Sequence, residues 1–244
     1  MHPDRLGIVL VYPKLLGLYG DRGNAAALRH RAAARGIEST IVDVAPGDPI
    51  PEQADIYLVG GAEDSSMTAA ANYLAGQRGF VRAVEGGATC LAVCAGFQLL
   101  SREYVGVEGV RPGLGLIDVV SSRLTGARAV GEVVARSEID GVPLLGFENH
   151  QGDAVLGPDA RPLGIIEAGR GNGHDLYEGA RQGSVIATYL HGPVLVRNPA
   201  LADTLLTSAV GRELDPFLDS RVERLRRERL RATLGVRART FRRA

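Results

Sequence analysis

Residues 88–100 read Ala-Thr-Cys-Leu-Ala-Val-Cys-Ala-Gly-Phe-Gln-Leu-Leu, and this stretch decides the fold. Positions 88–93 are small, β-branched or apolar with no polar alternation, as in a strand buried on both faces. Positions 95–103 continue as a helix, with Phe97, Leu99 and Leu100 available to pack. Cys94 stands at the junction, followed by Ala95 and Gly96. A strand that turns directly into a helix through a nucleophile forms an elbow, where small neighbours let the backbone bend sharply and present the sulfur. The partial positive charge of the helix N-terminus then favours thiolate. A buried structural cysteine is the plainer alternative, and it describes Cys90, four residues earlier in the strand.

Working outward, Leu6 to Tyr12 read as a first buried strand. A turn-rich segment, Leu18-Tyr19-Gly20-Asp21-Arg22-Gly23-Asn24, leads to an alanine-rich helix at 25–35, with Asn24 placed to cap it. Ile37 to Val44 make a second strand, and Ile56 to Val59 a third that ends at Gly60-Gly61. The pattern predicts one long helix from Thr68 to Glu85 before the elbow strand. Strands alternating with helices imply crossover connections and a parallel sheet. Beyond Arg102 short strands dominate, at about 116–121, 129–136, 143–147, 162–167 and 184–190. They read as antiparallel additions to the same sheet, since no linker sets them apart. Helices return at about 198–210 and 216–233.

The chain has 244 residues, 45% of them hydrophobic and 23% charged, enough for one large globular domain. Its two cysteines form no disulfide framework, and Cys-x-x-x-Cys alone is too few ligands for a metal. No targeting or membrane-spanning pattern is seen, so cytoplasmic residence is the expectation. The zero net charge hides an asymmetry. Residues 221–244 hold ten arginines and two glutamates, a net of +8, which leaves −8 for the rest. The organisation expected is a domain over 1–212 and an arginine-rich helix or tail over 213–244. That charge run reads as a solvated face or as a surface for an acidic partner; without interleaved aromatics, nucleic acid is disfavoured. Lys14 is the sole lysine, and it lies in Tyr-Pro-Lys-Leu rather than in a phosphate loop, so no ATP site is expected.

A cysteine nucleophile needs a base. Of five histidines, His2 lies at the terminus and His30 falls within a helix among arginines. His191 follows the apolar run Val185 to Leu190 and precedes Gly192-Pro193. Catalytic groups of parallel sheets gather at the carboxyl ends of strands, where both Cys94 and His191 belong. His150, in Gly-Phe-Glu-Asn-His-Gln-Gly, is the rival, with a loop-structuring role the simpler reading. Gly60 and Gly61 end a neighbouring strand; with the amide of Ala95 their N–H groups supply a two-donor oxyanion hole.

Gly60-Gly61, the Cys-Ala-Gly-Phe-Gln elbow and the strand-end histidine resemble a class I, cysteine-dependent glutamine amidotransferase. Within that class the chain is similar to the branch of cobyric acid synthases and of GatD-type glutaminase subunits of lipid II isoglutaminyl synthase. Further matching segments are Tyr19-Gly20-Asp21-Arg22-Gly23-Asn24, Gly146-Phe147-Glu148-Asn149-His150, Gly171-Asn172-Gly173 and Tyr189-Leu190-His191-Gly192-Pro193-Val194-Leu195 with Asn198-Pro199. They extend from residue 8 to about 206.

The resemblance implies a flavodoxin-like α/β fold with a mostly parallel central sheet, helices on both faces and antiparallel additions. It implies that Cys94 attacks the carboxamide of glutamine, that His191 is the base, and that Arg128 holds the substrate carboxylate, a task that suits a guanidinium fork. The ammonia would go to a MurT-like, Mur-ligase-type subunit of a heterodimer, which uses ATP and Mg to amidate lipid II in peptidoglycan synthesis. Alternatives are amidation in cobalamin-type cofactor synthesis, or a non-catalytic scaffold. One departure from the wider class stands out: Pro193 occupies the position of the usual orienting acid. Glu148 and Asp153 are the nearest replacements by motif, and a carboxylate of the partner is the other.

Overall fold

The computed structural model describes residues 5–240, with side chains to Gly235. His2 and the last four residues of the arginine-rich tail lie outside the described residues. The first half runs β1 (Arg5–Val11), α1 (Arg22–Ala33), β2 (Glu38–Val44), β3 (Ile56–Val59), α2 (Asp64–Leu74), α3 (Arg78–Glu85), β4 (Thr89–Val93) and α4 (Ala95–Leu100). Short strands follow: β5 (Glu103–Gly106), β6 (Gly109–Pro112), β7 (Val119–Arg123), β8 (Ala129–Ser137), β9 (Pro143–His150) and β10 (Gly152–Leu156). The chain then forms β11 (Gly164–Ala168), β12 (Tyr177–Glu178), β13 (Ala180–Gln182), β14 (Val185–Thr188), α5 (Val194–Arg197), α6 (Pro199–Val210) and α7 (Ser220–Thr240).

The central sheet has six strands in the order β13-β14-β4-β3-β1-β2. All its pairings are parallel except that of edge strand β13 with β14. Every residue of β3, β4 and β14 is buried, so both faces of the sheet are covered. Their side chains feed one large aliphatic core, in which each fully buried Leu, Ile or Val contributes roughly 1.5–3 kcal/mol. Gly96 lets α4 close onto the sheet, because a Cβ there would lie 2.2 Å from the carbonyl oxygen of Val59.

Three expectations are corrected. The single helix over Thr68–Glu85 is two helices, α2 and α3. The break falls at Gly76, and the Gln77 side chain pins the turn by accepting from the Ile50 N–H at 3.0 Å and donating to the Asp48 carbonyl at 3.1 Å. The short strands beyond Arg102 do not all join the central sheet. They form two further four-stranded sheets, β10-β7-β5-β6 and β12-β11-β8-β9, and only β13 and β14 return to the first. The strand before His191 is shorter than the apolar run suggests. It stops at Thr188, where the carboxylate of Glu178 accepts from the Thr188 hydroxyl and from the Tyr189 N–H.

The arginine-rich segment begins after Gly211, whose left-handed φ of 73° ends α6. Helix α7 lies against β8 and β9 with Leu230 and Leu234 packed on Val134, Leu145 and Ala168. Arg226 projects under this helix and donates to the carbonyls of Arg197 and Pro143 and to Asn198 Oδ1. Leu218 and Leu225 stay exposed. No helix among the described residues is long and apolar enough to cross a membrane.

Candidate active site

Three neighbouring parallel strands, β3, β4 and β14, place Gly60-Gly61, Cys94 and His191 at one end of the central sheet. Cys94 is the turn between β4 and α4 and holds φ at 53°, a strained value for a residue with a side chain. The backbone bends sharply at this residue, between β4 and α4, as the elbow reading requires. Around Gly61 the groups converge: a Cβ added there would lie 3.1 Å from His191 Cε1 and 3.5 Å from Cys94 Cβ.

Both catalytic candidates are buried, Cys94 at 8% exposure and His191 at 0%. Burial decides their charge. It pushes the Cys94 thiol up to about 12 and outweighs the N–H of Ala95 directed at the sulfur. The expected thiolate at the helix N-terminus is therefore not the resting form, since α4 has only six residues and desolvation is the stronger effect. Burial also holds His191 down at about 4, helped by the positive charges of His150 and Arg128. The resting pair is a neutral thiol and a neutral imidazole. Neither ring nitrogen of His191 has a hydrogen-bond partner among the described residues.

The imidazole is fixed by packing instead. His191 and Phe147 exchange backbone hydrogen bonds of 2.8 and 3.2 Å, which tie the loop after β14 to β9. The ring of Phe147 stacks on the imidazole at 5.4 Å, and the ring of Tyr19 lies 4.5 Å away. Asn24 does not cap α1 as expected but lies inside it, two residues after its start at Arg22; its side chain accepts from the Leu195 N–H at 2.9 Å and so anchors the segment beyond the histidine. Arg128 precedes β8 and reaches toward this cluster. Its Nε donates to Asn149 Oδ1 at 2.6 Å and its Nη2 to the Asn149 carbonyl at 3.1 Å, while Asn149 donates in turn to the Tyr19 hydroxyl.

The predicted oxyanion donors are only partly available. Ala95 follows the sulfur directly, but the Gly60–Gly61 peptide is engaged at both ends. The Gly61 N–H donates to Asp21 Oδ2 at 2.7 Å, and the Gly60 carbonyl accepts from the Gly96 N–H at 3.1 Å. Sequence reasoning quoted the segments holding Asp21, Tyr19, Phe147 and Asn149 but assigned these residues no part in the site. The turn chemistry of 18–24 was visible; its fold across the sheet to Gly61 was not.

The rival groups are occupied elsewhere. His150 bonds the Gly152 carbonyl at 3.0 Å through Nδ1 and stacks on Tyr189 with ring centroids 3.9 Å apart. Glu148 accepts from the N–H groups of Arg170 and Gly171, and Asp153 from His174. Neither carboxylate bonds His191. Among the described residues no group of three His, Cys, Asp or Glu side chains is arranged to hold a metal ion.

A cysteine elbow beside a buried neutral histidine, on a parallel sheet of this order, defines a class. The chain belongs to the CobB/CobQ-like glutamine amidotransferase domain family, whose model matches residues 7–199, and it is a glutamine-hydrolysing enzyme. Two relatives carry the name lipid II isoglutaminyl synthase (glutamine-hydrolyzing) subunit GatD. That of Streptococcus pneumoniae is 34% identical, matching 86% of this chain and 82% of its own length. That of Staphylococcus aureus is 35% identical, matching 83% of each. A cobyric acid synthase of Pelotomaculum thermopropionicum is 36% identical over 61% of this chain and 31% of its own length. Solved structures share the fold: a glutamine amidotransferase with TM-score 0.58 at 22% identity, covering 83% of this chain and 98% of its own, and PurLQS of Thermotoga maritima with TM-score 0.56 at 17%, covering 85% and 95%.

Proposed function

We propose that this chain is the glutaminase subunit of a lipid II isoglutaminyl synthase, which passes ammonia to a MurT-like ATP-dependent ligase subunit in the cytoplasm. The observation that carries the reading is the reach of the likeness. The GatD subunits are matched over 83–86% of this chain and 82–83% of their own length, whereas cobyric acid synthases of similar identity are matched over 61–76% of this chain and only 31–39% of theirs. In the ligase complex the ammonia amidates the D-glutamate of lipid II for peptidoglycan.

In the reaction, His191 Nε2 or Nδ1 takes the thiol proton as Cys94 Sγ attacks the glutamine side-chain carbonyl. A neutral imidazole is the form that can accept that proton. The carbonyl oxygen becomes an oxyanion beside the Ala95 N–H and the Gly60–Gly61 strand end. As the C–N bond breaks, His191 returns the proton to the leaving nitrogen and ammonia departs, leaving a γ-glutamyl thioester. Water, deprotonated by the same imidazole, then attacks the thioester carbonyl; the C–S bond breaks, Cys94 takes the proton back from His191, and glutamate leaves. Arg128 holds the substrate carboxylate by exchanging its Asn149 contacts for it.

Ammonia release from glutamine tests the assignment. Cys94→Ala and His191→Ala are expected to lose activity by orders of magnitude, since members of one catalytic unit fail together. Cys90→Ser is expected to retain it, because Cys90 is a fully buried strand residue. An active Cys94→Ala variant would overturn the mechanism. Amidation of lipid II by the complex with glutamine tests the substrate; turnover of a cobyric acid precursor in its place would overturn that.

A further inference from the structure

The neighbouring strands β1 and β3 lie where the strand order reverses, and Asp21 lies at their carboxyl ends. It immediately precedes α1, but its own φ of −54° and ψ of −22° are already helical and its side chain makes no cap bond. The carboxylate reaches across the switch point, and its Oδ2 takes the Gly61 N–H at 2.7 Å. Its Oδ1 is buried with no hydrogen-bond partner among the described residues. Gly60 has to be glycine for this approach, because a Cβ there would lie 2.7 Å from Asp21 Oδ2. The same oxygen is 3.5 Å from where a Cβ of Gly61 would sit, as is Cys94 Cβ, with His191 Cε1 on the same side.

We propose that Asp21 is an internal anion standing on the amide that the reaction needs, and that it restrains hydrolysis in the isolated chain. This rests on Gly61 serving as an oxyanion donor in the function proposed above. A single N–H cannot serve the Asp21 carboxylate and a new oxyanion at once, and two anions in a buried site repel. Forming the tetrahedral intermediate therefore requires Asp21 to swing off Gly61 or take up a proton. The Asp21 charge acts on the first step as well, by adding to burial in disfavouring the Cys94 thiolate. The half-satisfied carboxylate accords with a group that changes partners: burial raises Asp21 from 3.8 to about 7, opposed only by the Gly61 bond.

The experiment compares the unaltered chain with Asp21→Asn and Asp21→Ala, each checked for an unchanged circular dichroism spectrum. Losing one oxyanion donor costs roughly 100- to 1000-fold in kcat, so releasing one by removing Asp21 is expected to raise glutaminase kcat about tenfold or more. KM should move little. Asp21→Asn, which loses the charge but keeps an acceptor, should fall between. A kcat that is unchanged or lower in both folded variants overturns the proposal. If neither variant folds, the unaltered chain decides. Alkylation of Cys94 by 6-diazo-5-oxonorleucine, a glutamine analogue that leaves a ketone in the site, should move the Gly61 amide signal in a 15N–1H spectrum. An unmoved Gly61 signal in the labelled protein overturns the proposal, whereas failure to label Cys94 overturns the assigned nucleophile instead.

Discussion

The ring of Tyr19 lies 4.5 Å from the imidazole of His191, tilted 59° to it, and among the described residues no acceptor takes the place of an orienting acid at either nitrogen. Tyr19 itself holds φ at 63°, so the chain accepts backbone strain to bring that ring there. Packing fixes the plane of the imidazole but leaves its tautomer and its charge without support. The consequences for reactivity can be measured.

The first concerns the thiol. With Cys94 near 12 and His191 near 4, the resting Cys94–His191 pair is uncharged at neutral pH. A cysteine–histidine ion pair would react with iodoacetamide at a rate nearly independent of pH between 6 and 8. Here the thiolate is a small fraction that grows with pH. Alkylation of Cys94 should rise about tenfold per pH unit from 7 to 9 with no plateau, because only thiolate is nucleophilic. A plateau below pH 8 would show that the ion pair exists without substrate.

Arg128 supplies a second test. Its guanidinium is exposed and turned onto Asn149, so substrate capture means exchanging one set of acceptors for another. A charge-assisted bond is worth ~1.5–3 kcal/mol. Arg128→Ala should raise KM for glutamine about tenfold to over a hundredfold, with kcat affected less. Amidation by the complex with added free ammonia should survive in this variant and in Cys94→Ala. Unchanged glutamine kinetics would place the carboxylate elsewhere.

The third prediction concerns stability. Glu178 is fully buried behind Thr188 and Tyr189, and burial raises it from 4.5 to about 7. The folded chain therefore keeps its proton where the unfolded chain has lost it. Stability falls as pH rises from about 4.5 to 7 and the deficit stays constant above. Glu178→Gln keeps an acceptor for the Thr188 hydroxyl and removes that deficit. It should raise stability at pH 8 by up to about 3 kcal/mol, at ~1.4 kcal/mol per pKa unit, and change little at pH 4. Denaturant midpoints at the two pH values check it. Equal midpoints at pH 8 would mean that Glu178 is ionised at no cost.

The parallel sheet, the elbow and the strand-end histidine were legible because short-range pattern fixes them. Buried strands show as unbroken apolar runs, and Cys94 lies between two elements that each declare themselves. What the sequence concealed was long-range. Nothing local says that the Asp21 carboxylate reaches Gly61, forty residues on. The charge on Cys94 is hidden from the sequence for a related reason. The helix N-terminus is a local feature, but desolvation depends on everything packed around the sulfur. Gly76 was the one local signal passed over, a break inside an otherwise helical pattern.

The last prediction concerns the missing acid. A histidine base works best when a third group fixes its tautomer and stabilises the imidazolium that forms. Pro193 stands where that acid is usual, and the motif's own carboxylates do not reach. Glu148 receives N–H groups from Arg170 and Gly171, and lies 3.9 Å from Nε2 of His150, not of His191. Glu148→Gln should therefore lower the melting temperature, by placing an amide against those donors, without a selective loss of kcat. The expectation is that a carboxylate of the proposed ligase subunit completes the open nitrogen of His191. On that account the complex hydrolyses glutamine faster than the isolated chain, chiefly in kcat. Its acid limb should also move to higher pH, because a carboxylate beside His191 raises an imidazole that burial has lowered. Removing one interface Asp or Glu of the ligase subunit should abolish both effects. Equal kcat and coincident pH profiles for the isolated chain and the complex would show that Cys94 and His191 need no third member.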